Sequence, residues 1–104
     1  MKSKFPRATV PEASARVTLG NRRGLHARAA NKLFACANRF DAVVTVTSHN
    51  DVCAESVVAD SVMELLLLGS ACGEDITLNA KGPEADEVIA ALVALIEGRF
   101  GEEP

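Results

Sequence analysis

The segment RRGLHARAA, residues 22–30, places His26 between a glycine-containing turn and an alanine-rich segment that is typical of a helix. Three arginines, Arg22, Arg23 and Arg28, lie within four residues of His26. A helix start has unpaired backbone N–H groups and the positive end of the helix dipole, and both favour an anion. A neutral imidazole there, with no carboxylate expected beside it, suits a nucleophile that accepts and releases a phosphoryl group. The alternative is a solvent-exposed histidine that happens to begin a helix.

The composition indicates one globular domain with a local positive charge. The chain has 104 residues, 48% of them hydrophobic and 24% charged. The net charge of -3, with four Phe and no Trp or Tyr, argues against nucleic acid as a partner. Residues 22–39 contain Lys and Arg but no acidic side chains, whereas residues 40–80 contain acidic side chains but no Lys or Arg. This distribution predicts an anion site around His26, and the alternative is a solvated basic helix face.

The cysteines, the remaining histidine and the N-terminal segment indicate no cofactor. Cys36, Cys53 and Cys72 form no CxxC pair, which favours reduced thiols in a cytoplasmic protein, and Cys36 falls on the apolar side of a predicted helix. His26 and His49 have no ligand-like companions, so no metal site is expected. Residues 1–14 have no continuous apolar stretch, and they predict a flexible extension, not a secretory signal or membrane anchor.

Hydrophobic periodicity predicts the order strand, helix, strand, strand, helix, strand, helix. The strands are expected over residues 15–19, 43–48, 52–57 and 75–80, with His49 in the turn between the second and third. The helices are expected over residues 27–38, 62–68 and 83–96, with Pro83 at the first position of the last one. This order predicts an α+β fold, a four-stranded antiparallel sheet with three helices on one face and the other face open. The domain would span residues 15–98, followed by a short acidic tail, 99–104.

The second predicted helix carries both a capping pattern and an unusual amount of apolar surface. Ser61 and Glu64 match a capping box, and Gly69 stands at the C-terminal end. The helix is apolar nearly all round, so in a small domain part of it should be exposed as a protein-binding patch. The candidate patch consists of Val62, Met63, Leu66 and Leu67. The alternative is that all four belong to the core.

Two motifs in this chain resemble the HPr family of phosphocarriers. The segment Gly24-Leu25-His26-Ala27-Arg28-Ala29-Ala30 resembles that family's active-site motif. The segment Ala59-Asp60-Ser61-Val62-Met63, followed by Leu65 and Leu68-Gly69, is similar to its regulatory-serine helix. The resemblance covers residues 15–96 and implies an HPr-like open-faced sandwich.

The resemblance also implies a role in a phosphoenolpyruvate-dependent phosphotransferase relay. Enzyme I would phosphorylate His26 on Nδ1, Arg28 would contact the phosphoryl group, and an EIIA-type domain would receive it. The protein would be a monomeric carrier with a transient phosphohistidine, not an independent enzyme, and no membrane partner is implied. The apolar patch, together with Lys32 on the basic helix, would dock the partners. Ser61 would be the target of an HPr kinase/phosphorylase if such an enzyme acts here.

Several residues depart from the family pattern, and they bear on the branch of the family, the orientation of His26 and the phosphorylation of Ser61. Ala29 stands where sugar-transport members have proline, which favours the nitrogen-related, NPr-like branch; a sugar-transport carrier is the alternative. Arg23 replaces a common asparagine, which would alter how the imidazole is oriented. Asp60 and Glu64 would repel a phosphate on Ser61. A docking-only regulator of the same fold, or a ferredoxin-like domain that binds a small ligand, would need neither His26 nor Arg28.

Overall fold

Four strands and three α-helices follow one another in the predicted order over the residues that the structure, a computed structural model, describes: 11–49 and 56–102. The elements are β1 (Glu12–Thr18), α1 (Ala27–Ala37), β2 (Val43–His49), β3 (Ser56–Val58), α2 (Val62–Leu67), β4 (Asp75–Lys81) and α3 (Ala85–Glu97). A short 3₁₀ turn, Arg99–Gly101, follows α3. None of the helices in this described part of the chain is long and apolar enough to cross a membrane.

The strands form one antiparallel sheet in the order β1-β4-β2-β3. Because side chains alternate across a strand, the apolar residues of β4, Ile76 and Leu78, point to the buried face, where Val17 and Val46 are their partners in register. The opposite face is polar and solvated, with Arg16, Thr18, Thr77 and Asn79 exposed or half-exposed. The prediction of an open sheet face is therefore confirmed.

Helices α1 and α3 cover the apolar face of the sheet and supply most of the helical core. The buried residues of α1 are Ala29, Ala30, Leu33, Cys36 and Ala37, and those of α3 are Ala85, Val88, Ile89, Leu92 and Ile96. Both sets recur at the spacing of one helical face, as the sequence predicted. The expectation that Cys36 belongs to the core is confirmed. Small alanines on α1 leave room for the larger side chains of α3 and the sheet.

Three local predictions differ from the structure. Strand β1 begins at Glu12, so three residues assigned to the N-terminal extension pair with β4. His49 is not a turn residue: it lies in β2, and its Nε2 is 2.6 Å from Thr77 Oγ1. Helix α3 begins at Ala85 with Glu84 as N-cap, so Pro83 precedes the helix. Four residues of the third predicted strand, 52–55, and the second half of the turn predicted before it, residues 50 and 51, lie outside the described part of the chain.

Candidate functional site

His26 is the N-cap of α1. Its backbone is extended, with φ −80° and ψ −177°, and its carbonyl oxygen accepts the first helical bond from the Ala30 amide at 2.8 Å. Its imidazole folds over the helix start, where Nδ1 accepts a hydrogen bond from the Arg28 amide at 3.3 Å. The ring nitrogen therefore lies at the positive end of the helix, beside the amides that have no partner within it.

The turn before His26 is fixed by contacts with a distant loop. Gly24 has φ +64°, its amide donates to the Asn21 carbonyl at 3.0 Å, and the Asn21 side chain donates back to the Gly24 carbonyl at 2.7 Å. The next amide, that of Leu25, donates to the carbonyl of Ser70 at 3.0 Å. Asn21 is fully buried. Its Nδ2 is hydrogen-bonded and so holds the turn in this shape, whereas its buried Oδ1 has no hydrogen-bond partner among the described residues.

The basic side chains that the sequence grouped around His26 do surround one cleft. It has a volume of about 550 Å³ and is lined by Arg22, Arg23, His26, Arg28, Lys32, Gly101 and Glu102. The three arginines are exposed and can reach toward an anion that enters from solvent, whereas Lys32 Nζ donates to the Phe100 carbonyl. Four cationic side chains and a helix N-terminus thus surround one imidazole, an arrangement whose charge suits an anion.

A carboxylate that local sequence patterns do not predict also contacts His26. Glu102 Oε2 lies 2.5 Å from His26 Nε2, and Glu102 Oε1 accepts a hydrogen bond from Asn21 Nδ2 at 3.1 Å. The expectation of an imidazole without a neighbouring carboxylate is therefore wrong. Partial burial raises the pKa of Glu102, but the bonds from Asn21 and His26 and the charges of His26 and Lys32 outweigh it, so the pKa is lowered.

The tail after α3 brings Glu102 to the site. Residues 98–102, here called the C-terminal strap, turn back from the end of α3 toward the start of α1. Phe100 is 1% exposed and belongs to the core, and its carbonyl oxygen accepts a bond from Lys32 Nζ at 2.5 Å. The only sequence signal for this arrangement was an isolated aromatic residue after Gly98, in a segment otherwise polar and small.

Helix α2 is capped as predicted, but its apolar residues are divided between surface and core. The Ser61 side chain accepts a bond from the Glu64 amide at 3.3 Å. Met63 and Leu67 are 67% and 73% exposed, whereas Val62 and Leu66 are half-buried against the core. Gly69 follows the helix with φ +65°. Helix α2 also packs against α1, which carries His26 at its start.

Comparison with known proteins places these features in one family. The family described as "PTS HPr component phosphorylation site" matches residues 13–98. The chain belongs to the HPr family of the phosphotransferase system. It is 43% identical over 88 residues to the phosphocarrier protein NPr of Proteus mirabilis, covering 85% of this chain and 94% of the relative. It is 39% identical over 85 residues to the phosphocarrier protein HPr of Cupriavidus necator, covering 82% of this chain and 91% of the relative.

The HPr fold is confirmed by a solved structure. The crystal structure titled HPr-C-His from Thermoanaerobacter tengcongensis matches with a TM-score of 0.79 and 36% identity, covering 88% of this chain and 99% of that one. The predicted α+β open-faced sandwich is thus the HPr fold. The family match ends at residue 98, so Glu102 and most of the strap lie beyond the residues that it covers.

Proposed function

We propose that this protein is a phosphocarrier of the phosphotransferase system that accepts a phosphoryl group on His26 and passes it on. Enzyme I is the proposed donor and an EIIA-type domain the proposed acceptor. The observation that supports this proposal most is the position of His26 as N-cap of α1, with Nδ1 facing the Arg28 amide inside a cationic cleft. Membership of the HPr family supports the same function.

The chemistry requires the exchange of one bond to phosphorus for another. The Nδ1 lone pair of His26 attacks the phosphorus of the phosphorylated donor, an N–P bond forms, and the bond from phosphorus to the donor's leaving atom breaks, with its electron pair going to that atom. The incoming oxygens carry negative charge toward the start of α1. There they can exchange the weak amide–Nδ1 bond for amide–phosphate bonds, which are charge-assisted. Arg28, exposed at the same helix start, can neutralise part of the remaining charge.

The nitrogen-related branch is the proposed context, with a sugar-transport carrier as the alternative. NPr is the name of the relative at 43% identity, and Ala29 stands where sugar-transport members have proline. Ala29 is fully buried in the first turn of α1, and unlike proline it keeps a backbone N–H there. The rate of transfer to a nitrogen-type EIIA domain should therefore exceed the rate to a sugar-type one, and the reverse order would favour the alternative.

Incubation with phosphoenolpyruvate and enzyme I, followed by intact mass, tests the proposed function. The expected result is the gain of one acid-labile phosphoryl group, absent from His26→Ala. His49→Ala is the matched control, because it removes the other histidine, which contacts Thr77 on β4 and does not line the cleft. If uptake persists in His26→Ala and disappears in His49→Ala, His49 is the phosphoryl acceptor instead of His26. No uptake by the unmodified chain would favour the docking-only regulator.

We do not propose that Ser61 is a regulatory phosphorylation site. Its Oγ already accepts the Glu64 amide as the cap of α2, and the neighbouring side chains of Asp60 and Glu64 are acidic and exposed. A phosphate on Ser61 would be tolerated by the helix dipole but repelled by both acids. A kinase for Ser61 is therefore not needed to explain any feature of α2.

A further inference from the structure

The C-terminal strap contains backbone conformations that cost free energy and are stabilised by specific contacts. Arg99 and Phe100 have φ angles of 57° and 54°, a left-handed backbone conformation that residues other than glycine rarely adopt. The conformation is held by the burial of Phe100 in the core and by the bond from Lys32 to the Phe100 carbonyl. The Glu102 amide then donates to the Arg99 carbonyl at 2.8 Å, which closes the turn. Strain of this kind persists only where the surrounding contacts determine it.

The end of the strap holds a carboxylate in a fixed position between two side chains. Glu102 bridges the imidazole of His26, at 2.5 Å, and the amide of Asn21, at 3.1 Å. The side chains of His26 and Glu102 are only 21% and 17% exposed, so solvent screens this contact incompletely. Asn21 uses its remaining N–H on the Gly24 carbonyl. The carboxylate is thus tied to the same turn that positions His26.

An ionised carboxylate can only accept hydrogen bonds, and this property determines where the imidazole carries its proton. The ring proton must lie on Nε2, the nitrogen that faces Glu102. In the neutral ring Nδ1 then keeps its lone pair, and it is Nδ1 that accepts the Arg28 amide. Without the carboxylate, only the long bond from the Arg28 amide, at 3.3 Å, would favour the proton on Nε2 over Nδ1.

We propose that Glu102 is a positioning residue for phosphotransfer: it holds the proton of His26 on Nε2 and so presents the Nδ1 lone pair to the donor. This inference rests on the proposed function of His26. After transfer, the N–P bond is on Nδ1 and the proton remains on Nε2, so the ring is positively charged. Glu102 stabilises that charge from the ring edge opposite the phosphoryl group. In both states the Glu102 carboxylate orients the imidazole and fixes the position of its proton, as carboxylates do for metal-bound and catalytic histidines in other proteins.

The lowered pKa of Glu102 is consistent with this role, because the carboxylate is then ionised across the neutral range. Arg23, which replaces a common asparagine of the family, lines the cleft. Within the described residues, it is Glu102 of the strap that is hydrogen-bonded to His26 Nε2. The orientation of the imidazole is therefore supplied by a segment far away in sequence.

The test combines nitrogen NMR of the His26 ring with single-turnover transfer from phosphorylated enzyme I, both on the full chain. In the unmodified protein, the ¹⁵N shifts should identify Nε2 as the protonated nitrogen and Nδ1 as the unprotonated one. Glu102→Ala and Glu102→Gln should raise the fraction of rings that are protonated on Nδ1, because alanine removes the acceptor at Nε2 and a glutamine amide can donate as well as accept. The transfer rate at saturating carrier should fall roughly tenfold, with the half-saturating concentration unchanged. Glu97→Gln, an exposed acid on α3, is the control and should change neither readout.

Each other outcome overturns the proposal. Unchanged ring shifts in Glu102→Ala would mean that the carboxylate does not select the tautomer. Altered shifts with an unchanged rate would mean that the selection does not matter for transfer. Faster transfer would mean that Glu102 competes with the phosphoryl group for the cationic side chains. Failure of the proposed function is recognised separately, since the unmodified protein would then take up no phosphoryl group while its tautomer could still be measured.

Discussion

Gly24 lies so close to the loop after α2 that a Cβ atom added to it would be 2.6 Å from the Ser70 carbonyl oxygen and 2.8 Å from Ala71 Cα. The Ser70 carbonyl oxygen also accepts a hydrogen bond from the Leu25 amide, and this bond requires the two segments to lie close together. A side chain is excluded at this position both by this contact and by the φ of +64°. The loop between α2 and β4 thereby sets the position of the turn that leads into His26.

Gly24→Ala is expected to destabilise the fold by more than about 2 kcal/mol, since backbone atoms must move in addition to the left-handed strain. Gly69→Ala is the matched control: it has nearly the same φ, +65°, but no atom within 4 Å of an added Cβ. That variant should cost only about 1 kcal/mol, for the conformation alone. Urea denaturation measures both. Equal costs would show that the contact with Ser70 is easily relieved.

Arg28→Ala is expected to slow phosphotransfer to and from His26 while changing the free energy of unfolding by no more than about 0.5 kcal/mol. The reason is that Arg28 is exposed and lines the cleft, so it can act on the phosphoryl group without supporting the core. Transfer rates and thermal unfolding are the measurements. Lys81→Ala, which removes an exposed positive charge on β4 outside the cleft, is the control. Loss of folding in Arg28→Ala would make the arginine structural.

Asp75 gives the fold a pH-dependent contribution to stability on the open face of the sheet. Its carboxylate accepts bonds from Thr18 Oγ1 at 2.6 Å and Arg16 Nε at 2.9 Å, and these lower the pKa of Asp75 below its ordinary value of 3.8. Because the folded-state pKa is lower than the unfolded one, the stabilisation is present above the unfolded value and is lost as the pH falls through the folded value.

The expected result is that Asp75→Asn destabilises the protein at neutral pH and that its difference from the unmodified protein shrinks on acidification below pH 3.8. Urea denaturation across this range measures it. Thr18→Val, which removes the shorter of these two bonds and keeps the carboxylate, is the companion variant and should lose a smaller part of the same pH dependence than Asp75→Asn does. A difference that is independent of pH would mean that the charge of Asp75 is not responsible.

The sequence predicted the elements that local patterns determine and missed those that depend on distant contacts. The cap at Ser61, the apolar face of α1 and the strand at Asp75 each follow from residues within one or two turns or a few strand positions. The strap does not. Glu102 and His26 are 76 residues apart, and apart from the single aromatic residue Phe100 nothing near the tail distinguishes it from a solvated acidic segment. Its path depends on the burial of Phe100, which only the completed core permits.

Strand β1 illustrates the same limit on a smaller scale. Its first three residues lack the alternation of large apolar and polar side chains that marks a strand, so the sequence placed them in the extension. They are ordered by pairing with β4, in which Glu12 is opposite Lys81 and Ser14 opposite Asn79. The neighbouring strand supplies the backbone hydrogen bonds there, and the Asn79 side chain also donates to the Glu12 carboxylate at 2.9 Å.

Ser61→Ala is expected to lower the free energy of unfolding by about 1 kcal/mol, because the Glu64 amide loses its acceptor at the start of α2. Ser61→Asp is the matched variant, since aspartate also caps helices, and it should keep most of the stability. Thermal unfolding of both variants measures the difference. If Ser61→Asp is as unstable as Ser61→Ala, the capping bond is not what Ser61 contributes.

The exposed apolar side chains of α2 lead to the prediction that Met63→Glu weakens docking to enzyme I. Met63 is 67% exposed, so a charge there should leave the protein folded. On binding, however, the carboxylate would have to be desolvated in an apolar contact without a partner, which is costly. The concentration of carrier that half-saturates enzyme I should therefore rise. Val43→Glu provides the control, because Val43 is similarly exposed, at 60%, but lies on β2. Equal effects of the two substitutions, or none from Met63→Glu, would place the docking surface away from α2.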